Sequence, residues 1–343
     1  MTIIPPVFLR LLLLLPTLGG LELRAVETAR VPGVSRVDFF GYTQCIALEN
    51  AITRVVLCHQ AGGRVLEYSL HGKNSIWLDP AHQGWVMQPG APVVNLSGGR
   101  LDIGPEMVVP KRPILWAGQW KAEVMGPRAA RLTSAEDPET GVQLIREFVL
   151  DATSSQLRCT QTIRNVSQQV TEWCHWSRTL AIGGGIAVVP LTRPTRFPND
   201  YVMYEPGSLI NARPSDPNIR TREGYLEIVG PPKHRKLGMD SQAGWFAYVM
   251  PNDVMFVKRF PVYPDRVYNE VAALTVCIFY DGMIRCELEP IGPRERLAPG
   301  ATASFTEEWQ LEPFEFPKNG RAIDLGTVAA LAKPRTGDSS PGR

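Results

Sequence analysis

From Thr43 onward the chain is a succession of short runs rich in β-branched and aromatic residues, each closed by a turn signal. The runs are Gln44 to Leu48, Ile52 to His59, Arg64 to Leu70, Val142 to Leu150, Gln156 to Arg164, Val170 to Leu180, Trp245 to Val249, Met255 to Arg259, Ala272 to Tyr280, Met283 to Pro290 and Ala303 to Leu311. No stretch of comparable strength carries the 3.6-residue period of an amphipathic helix. Parallel strands need helical crossovers, so antiparallel hairpins are the economical arrangement. Thirty prolines and thirty glycines spread along the chain suit many short strands joined by turns. The expectation is a mainly β protein, a large antiparallel β-sandwich.

Length and charge narrow the classes further. At 343 residues the chain can bury one large core, and 44% hydrophobic residues are too many for disorder to dominate. Thirty-six Lys and Arg against thirty-four Asp and Glu leave a formal charge of +2, without the broad basic field that draws in nucleic acid. There is no GxGxxG after a strand, no GxxxxGK[ST] and no HExxH, so the expected cofactor set is none. Gly183-Gly184-Gly185 follows a strand with no helix behind it and reads as a turn or bulge.

Arg10 precedes the apolar run from Leu11 to Gly20, too short for a helical span and suited to the hydrophobic region of a secretory signal. Residues 1–29 are read as a signal peptide or N-terminal anchor, and the protein as exported to a periplasm, cell envelope or medium. Ala25 and Ala29 are small, but neither has an ideal small partner two positions earlier. Residues 333–343, rich in Pro, Gly and Ser, read as a disordered tail.

Six cysteines, Cys45, Cys58, Cys159, Cys174, Cys277 and Cys286, form no CxxC pair, which argues against thiolate zinc. A two-residue turn at Asp281-Gly282 places Cys277 opposite Cys286, where they are either bridged or packed as small hydrophobes. The Pro-, Asn- and Arg-rich segment 193–232 reads as a long irregular excursion, a site rim or a passive insertion.

Two stretches carry a resemblance. Ala61-Gly62-Gly63-Arg64-Val65-Leu66-Glu67-Tyr68 with Gly72-Lys73-Asn74 looks like the early Gly-Gly strand of galactose mutarotase-like domains. Cys286-Glu287-Leu288-Glu289-Pro290, then Leu297-Ala298-Pro299-Gly300 and Glu308-Trp309, resembles their C-terminal hairpin. Asn165-Val166-Ser167 before Trp173 to Thr179 is similar to their central strand pair, and Lys236-Leu237-Gly238 before Gly244-Trp245 also fits. The resemblance spans Cys45 to Pro313 and is closest to an uncharacterised bacterial branch of that superfamily. It implies one mutarotase-like supersandwich over residues 36–315 and a carbohydrate partner.

Aldose epimerases open a pyranose with a base at the anomeric hydroxyl and an acid at the ring oxygen. The resemblance makes His175, in Cys174-His175-Trp176-Ser177, the acid. It makes Glu289 or Glu287 the base, and strand alternation sets those two on one face. The signature Asn-His-x-Tyr-Phe-Asn is absent, which separates this chain from the aldose epimerases themselves. Sugar binding asks for aromatic platforms and planar polar groups, for which Trp116 and Trp120 in a Pro- and Gly-rich loop, Trp176, Arg64, Lys236 and Lys258 are the candidates. Trp176, Trp245 and Trp309, in strand patterns, also fit a core role.

Three readings stay open. One is an aldose 1-epimerase-like isomerase, one a glycan-binding module without catalysis, and one an accessory envelope domain. The third predicts a concave face filled with apolar side chains.

Overall fold

Burial along Val142–Leu150 alternates without a break, and its neighbour Leu157–Asn165 buries every second residue in the same way. Such strands expose one face to a second layer and the other to solvent. The computed structural model describes residues 1–2, 31–207, 209–318 and 321–333. The chain divides into two units, Met1–Arg30 and Val31–Arg343, and the fold set out below is that of the second. The apolar run of the expected signal and residues 334–343 of the expected tail lie outside the described residues. No described helix is long and apolar enough to cross a membrane.

Two antiparallel sheets carry the architecture. The twelve-stranded sheet runs in space through Val34–Phe39, Tyr42–Glu49, Thr53–Cys58, Arg64–Leu70, Gly99–Gly104, Thr171–Ile182, Arg285–Leu297, Val276–Asp281, Lys236–Met239, Val202–Glu205 and Leu209–Asn211, with Lys73–Asn74 on the flank of Arg64–Leu70. The ten-stranded sheet runs through Ile219–Arg222, Tyr225–Ile228, Ile186–Pro190, Trp245–Met250, Val254–Arg259, Thr302–Pro313, Leu157–Asn165, Val142–Leu150, Ala129–Thr133 and Lys121–Gly126. The inward residues of both merge into one core that includes Leu57, Val65, Tyr68, Phe148, Phe256 and Trp309. Phe256 packs edge-on against Trp309 at 5.3 Å and against Tyr68 at 5.4 Å, the favoured geometry for aromatic pairs.

All eleven runs read as strands from the sequence contain strands here. The chain passes from the first sheet to the second at Gly183–Gly185. A Cβ on Gly183 would lie 2.4 Å from the Ile284 carbonyl carbon, so close backbone approach demands glycine there.

Two local expectations are corrected. The hairpin after Val276–Asp281 pairs Asp281 with Arg285 across a three-residue loop, so Cys277 faces Glu289 and Cys286 faces Tyr280. A slip of an odd number of residues also reverses the faces: Cys286 joins the inter-sheet core, Cys277 lies on the opposite side, and both are free thiols. Segment 193–232 is not irregular throughout. It holds two hairpins, Val202–Glu205 with Leu209–Asn211 and Ile219–Arg222 with Tyr225–Ile228, that extend one edge of each sheet. Glu223 and Gly224, both at positive φ, make the tight two-residue turn of the latter.

Helices also occur. Leu325–Ala332 packs on the outer face of the ten-stranded sheet, burying Leu325, Val328, Ala329 and Ala332 against Trp245, Ala247, Met255 and Val257. Asp324 caps it, accepting from the Thr327 amide at 3.1 Å and its hydroxyl at 2.7 Å. Two turns are too few for a period to stand out in the sequence. Pro113–Ala117 forms a shorter helix that carries Trp116.

Candidate functional site

The side of the twelve-stranded sheet turned away from its partner sheet collects charge where four strands meet. Alternation places Arg100 and Asp102 of Gly99–Gly104, Trp176 and Arg178 of Thr171–Ile182, Glu287 and Glu289 of Arg285–Leu297, and Lys236 of Lys236–Met239 on this outer face. Their neighbours Leu101, Ile103, Leu288 and Leu237 point into the core. Gly104 leaves room for the Trp176 ring, which a Cβ there would approach to 2.7 Å.

Trp176 is fully buried and donates its indole N–H to Glu289 Oε2 at 2.6 Å. The Arg178 guanidinium lies 4.3 Å from the Trp176 ring, and the Lys236 ammonium sits between Trp176 at 4.9 Å and Tyr204 at 4.5 Å. Arg100 donates to Glu287 at 2.9 Å and stacks over Trp116 at 4.1 Å. Arg112 grips Asp102 with two hydrogen bonds. Glu106 bridges Arg178, at 3.3 Å, to Lys236, and its own amide donates to Glu270 at 2.8 Å. A face filled with apolar side chains, the expectation for a purely accessory domain, is not what this region presents.

The two glutamates titrate as a pair. Burial and then the Glu287 charge push Glu289 up to about 8. Burial also opposes the Glu287 charge, but Arg100 and the hydrogen bond from Glu289 hold it below the ordinary carboxyl value. At neutral pH the shared proton therefore resides on Glu289, with Glu287 ionised against Arg100. Glu289 is 1% exposed, and the Lys236 ammonium that pairs with Glu106 lies over the ring of Trp176, its hydrogen-bond donor.

The expected site residues divide. Glu287, Glu289, Trp116, Trp176 and Lys236 are brought together. His175 is not: it projects into the gap between sheets, stacked on Phe305 at 5.6 Å, while its neighbour Trp176 points the other way. Burial lowers its pKa to about 3, outweighing the opposing hydrogen bonds to the Ala303 and Gln161 backbone, so it is a neutral core imidazole. It cannot share a ligand with Glu289 across the sheet. Lys258 also lies between the sheets, donating to Ser177, Thr179 and the Leu288 carbonyl and paired with Glu307 at 3.1 Å. Trp120 packs beneath Gly63 with the Arg146 guanidinium 4.1 Å from its ring. Arg64 is wholly buried, its donors taken by Ala61, Ser97 and Tyr42.

Sequence reasoning missed Arg100, Asp102, Glu106, Arg112, Arg178, Tyr204 and Glu270. Arg178 had a signal: it lies two residues beyond Trp176 on the same strand and therefore on the same face. The others come together only through the strand order.

The fold has solved counterparts. The Slr1438 protein from Synechocystis sp. PCC 6803 superposes with a TM-score of 0.55 at 13% identity, over 81% of this chain and 99% of that one. A galactose mutarotase-like protein from Lactobacillus casei gives 0.54 at 10% identity, over 78% and 100%. A provisionally assigned aldose 1-epimerase from Escherichia coli K12 gives 0.52 at 11% identity, over 78% and 98%. No protein-family model matches the sequence, and no curated protein matches it. The chain thus has the galactose mutarotase-like β-sandwich fold.

Proposed function

We propose that the outer face around Glu289 binds a carbohydrate and exchanges protons at its anomeric centre. The observation that carries this is the carboxyl pair: a protonated Glu289 beside an ionised Glu287, set on one strand face next to Trp176 and near Trp116. One acid and one base are thereby present together at neutral pH, which ring opening needs. In this reading Glu287 takes the proton of the anomeric hydroxyl and Glu289 gives its proton to the ring oxygen. The bond between C1 and the ring oxygen breaks, and reclosure after rotation returns both protons. Trp116 supplies an aromatic face for the sugar, and Arg178 and Lys236 supply donors for hydroxyls or for the carboxylate of an acidic sugar. A neighbour assigned as an aldose 1-epimerase on the same fold supports the substrate class.

The test is anomeric exchange by proton NMR on a panel of free sugars, acidic ones included, with wild type, Glu289→Gln and Glu287→Gln. Acceleration lost in both variants supports the pair. Loss in only one assigns the step to that residue alone. The binding-module reading draws on the near-complete burial of Glu289, and it predicts broadened sugar signals without acceleration. Absence of both effects across the panel would falsify the proposal.

Export is part of the same proposal and rests on the apolar run from Leu11 to Gly20. N-terminal sequencing of the protein recovered from a periplasmic fraction tests it, and recovery only from the cytoplasm with Met1 intact refutes it.

A further inference from the structure

The hairpin of Tyr42–Glu49 and Thr53–Cys58 pairs Ile46 with Leu57 and Ala47 with Val56, and one further step in this register sets Cys45 opposite Cys58. The Asn50 amide donates to the Thr53 carbonyl at 3.0 Å, which makes that pair a hydrogen-bonded one. Hydrogen-bonded pairs then recur at Leu48 with Val55 and Ile46 with Leu57, and Cys45 with Cys58 falls on a non-hydrogen-bonded position. There the Cα atoms of opposed residues are about 4.5 Å apart, inside the range a disulfide spans. Both side chains join one buried cluster with Tyr42, Ala47, Val56 and Leu66.

The thiols act on each other. The hydrogen bond with Cys58 raises Cys45 far above the usual thiol range. Burial pushes the Cys58 thiol up, but that hydrogen bond, the Arg64 charge and the Ala61 and Gln60 amides bring it down to about 7. The remaining cysteines have no such partner geometry. Cys277 and Cys286 lie on opposite faces of their hairpin. Cys174 and Cys277 share a face but sit on strands separated by Arg285–Leu297, two strand spacings or roughly 9 to 10 Å apart.

We propose that Cys45 and Cys58 form a disulfide, closed by exchange with a low-molecular-weight disulfide while the hairpin is open to solvent. The Cys58 thiolate attacks one sulfur of the donor, breaking its S–S bond and releasing one thiolate. Cys45, having lost its proton to water, attacks the Cys58 sulfur and expels the second thiolate. Two cysteines are oxidised and one disulfide donor is reduced to two thiols. The bond closes the loop beneath Arg64, which donates to Tyr42 at 2.6 Å and to the Ala61 carbonyl at 3.0 Å. Gly62, next to Ala61, in turn bonds to Gly118 at 2.8 Å under the turn that carries Trp116. The disulfide therefore braces the base of the Trp116 platform.

The test exposes the full chain to glutathione disulfide in sub-denaturing urea, quenches it in denaturant with N-ethylmaleimide, and maps peptides by mass spectrometry. The expected product carries four maleimide adducts and one linked peptide joining Cys45 to Cys58. Its thermal midpoint falls on addition of dithiothreitol, whereas a Cys45→Ala/Cys58→Ala protein shows no such response. Six adducts with no linked peptide, or a linkage joining any other pair, overturns the proposal. The wild-type peptide map decides the matter alone if the double variant does not fold.

Discussion

Glu307→Gln changes one buried charge and almost no volume. In the folded protein the Lys258 ammonium, with no exposed side-chain surface, lies 3.1 Å from the Glu307 carboxylate, itself 1% exposed. At that separation and an effective dielectric constant of about 20, the attraction is roughly 5 kcal/mol. Ser177 at 2.8 Å, Thr179 at 2.7 Å and the Leu288 carbonyl at 3.0 Å satisfy the ammonium protons but leave its charge uncompensated in the variant. Breaking one half of a buried pair costs about 3–5 kcal/mol, mostly the penalty of the stranded charge. The expected loss is therefore about 3–5 kcal/mol, read as a shift in the urea midpoint at unchanged slope by tryptophan fluorescence and far-UV circular dichroism. The Trp309 indole, which donates to Glu307 at 2.8 Å, keeps an acceptor in the variant, because the substituted amide retains one side-chain oxygen. Adding Lys258→Met removes the stranded charge, so the double variant should recover more than half of the loss. A single variant within about 0.5 kcal/mol of wild type, or a double variant as unstable as the sum of the singles, refutes this account of Lys258 as a structural cation.

Other outcomes follow from the same geometry. His175 has a folded pKa of about 3 against 6.5 for the free side chain, so between those values the unfolded chain binds the extra proton. Its contribution to stability is complete above pH 6.5 and is lost as pH falls toward 3; His175→Phe should flatten that acid limb in urea midpoints measured from pH 7 to 4, and an unchanged limb counts against it. Glu289 acts in the opposite sense, because its folded pKa of about 8 exceeds the ordinary value of 4.5 and costs stability progressively as pH rises between the two. Glu289→Gln should remove this loss, giving a protein relatively more stable than wild type at pH 8 than at pH 5. Gly104→Ala should displace the Trp176 ring, met at 2.7 Å, and abolish sugar-signal broadening in NMR; retained broadening would separate Trp176 from the site.

The fold was legible because its strands alternate strongly and its turns carry Gly, Pro, Asn and Asp. What escaped was register and face. The loop after Asp281 looked like a two-residue turn, and its actual three residues reversed the relation of Cys277 to Cys286. His175 and Trp176 adjoin in sequence, but adjacent strand residues face opposite ways, and the register shifts between Cys174 and Trp176. Lys258 had a usable signal: it shares a face with Phe256 in a strand whose other face, Met255 and Val257, is equally apolar. A strand covered on both sides buries its lysine. The charged cluster was illegible for a different reason, since Arg100, Arg178, Lys236 and Glu289 are distant in sequence and meet only because Thr171–Ile182 and Arg285–Leu297 are neighbours in the middle of the sheet.

Facing also limits which groups can complete the chemistry. Any partner of Glu289 must project from the outer face, and the imidazole that the family resemblance implied projects from the other one. Arginine stays protonated in proteins and is a poor proton donor to a ring oxygen. Lys236 is held charged: burial opposes the charge, but Cys277 and the Glu106 carboxylate, which also accepts a hydrogen bond from the ammonium, outweigh it and raise its pKa. Among these groups the carboxyl pair fits the proposed proton exchange near neutral pH, with Arg100 holding Glu287 ionised. Arg100 is bonded to Glu287, so the asymmetry of the pair comes from that contact together with the burial of Glu289. Replacing Arg100 by Met should shrink the difference between the two carboxyl pKa values and move the pH optimum of any anomeric exchange, whereas a role confined to packing would lower the rate without moving the optimum.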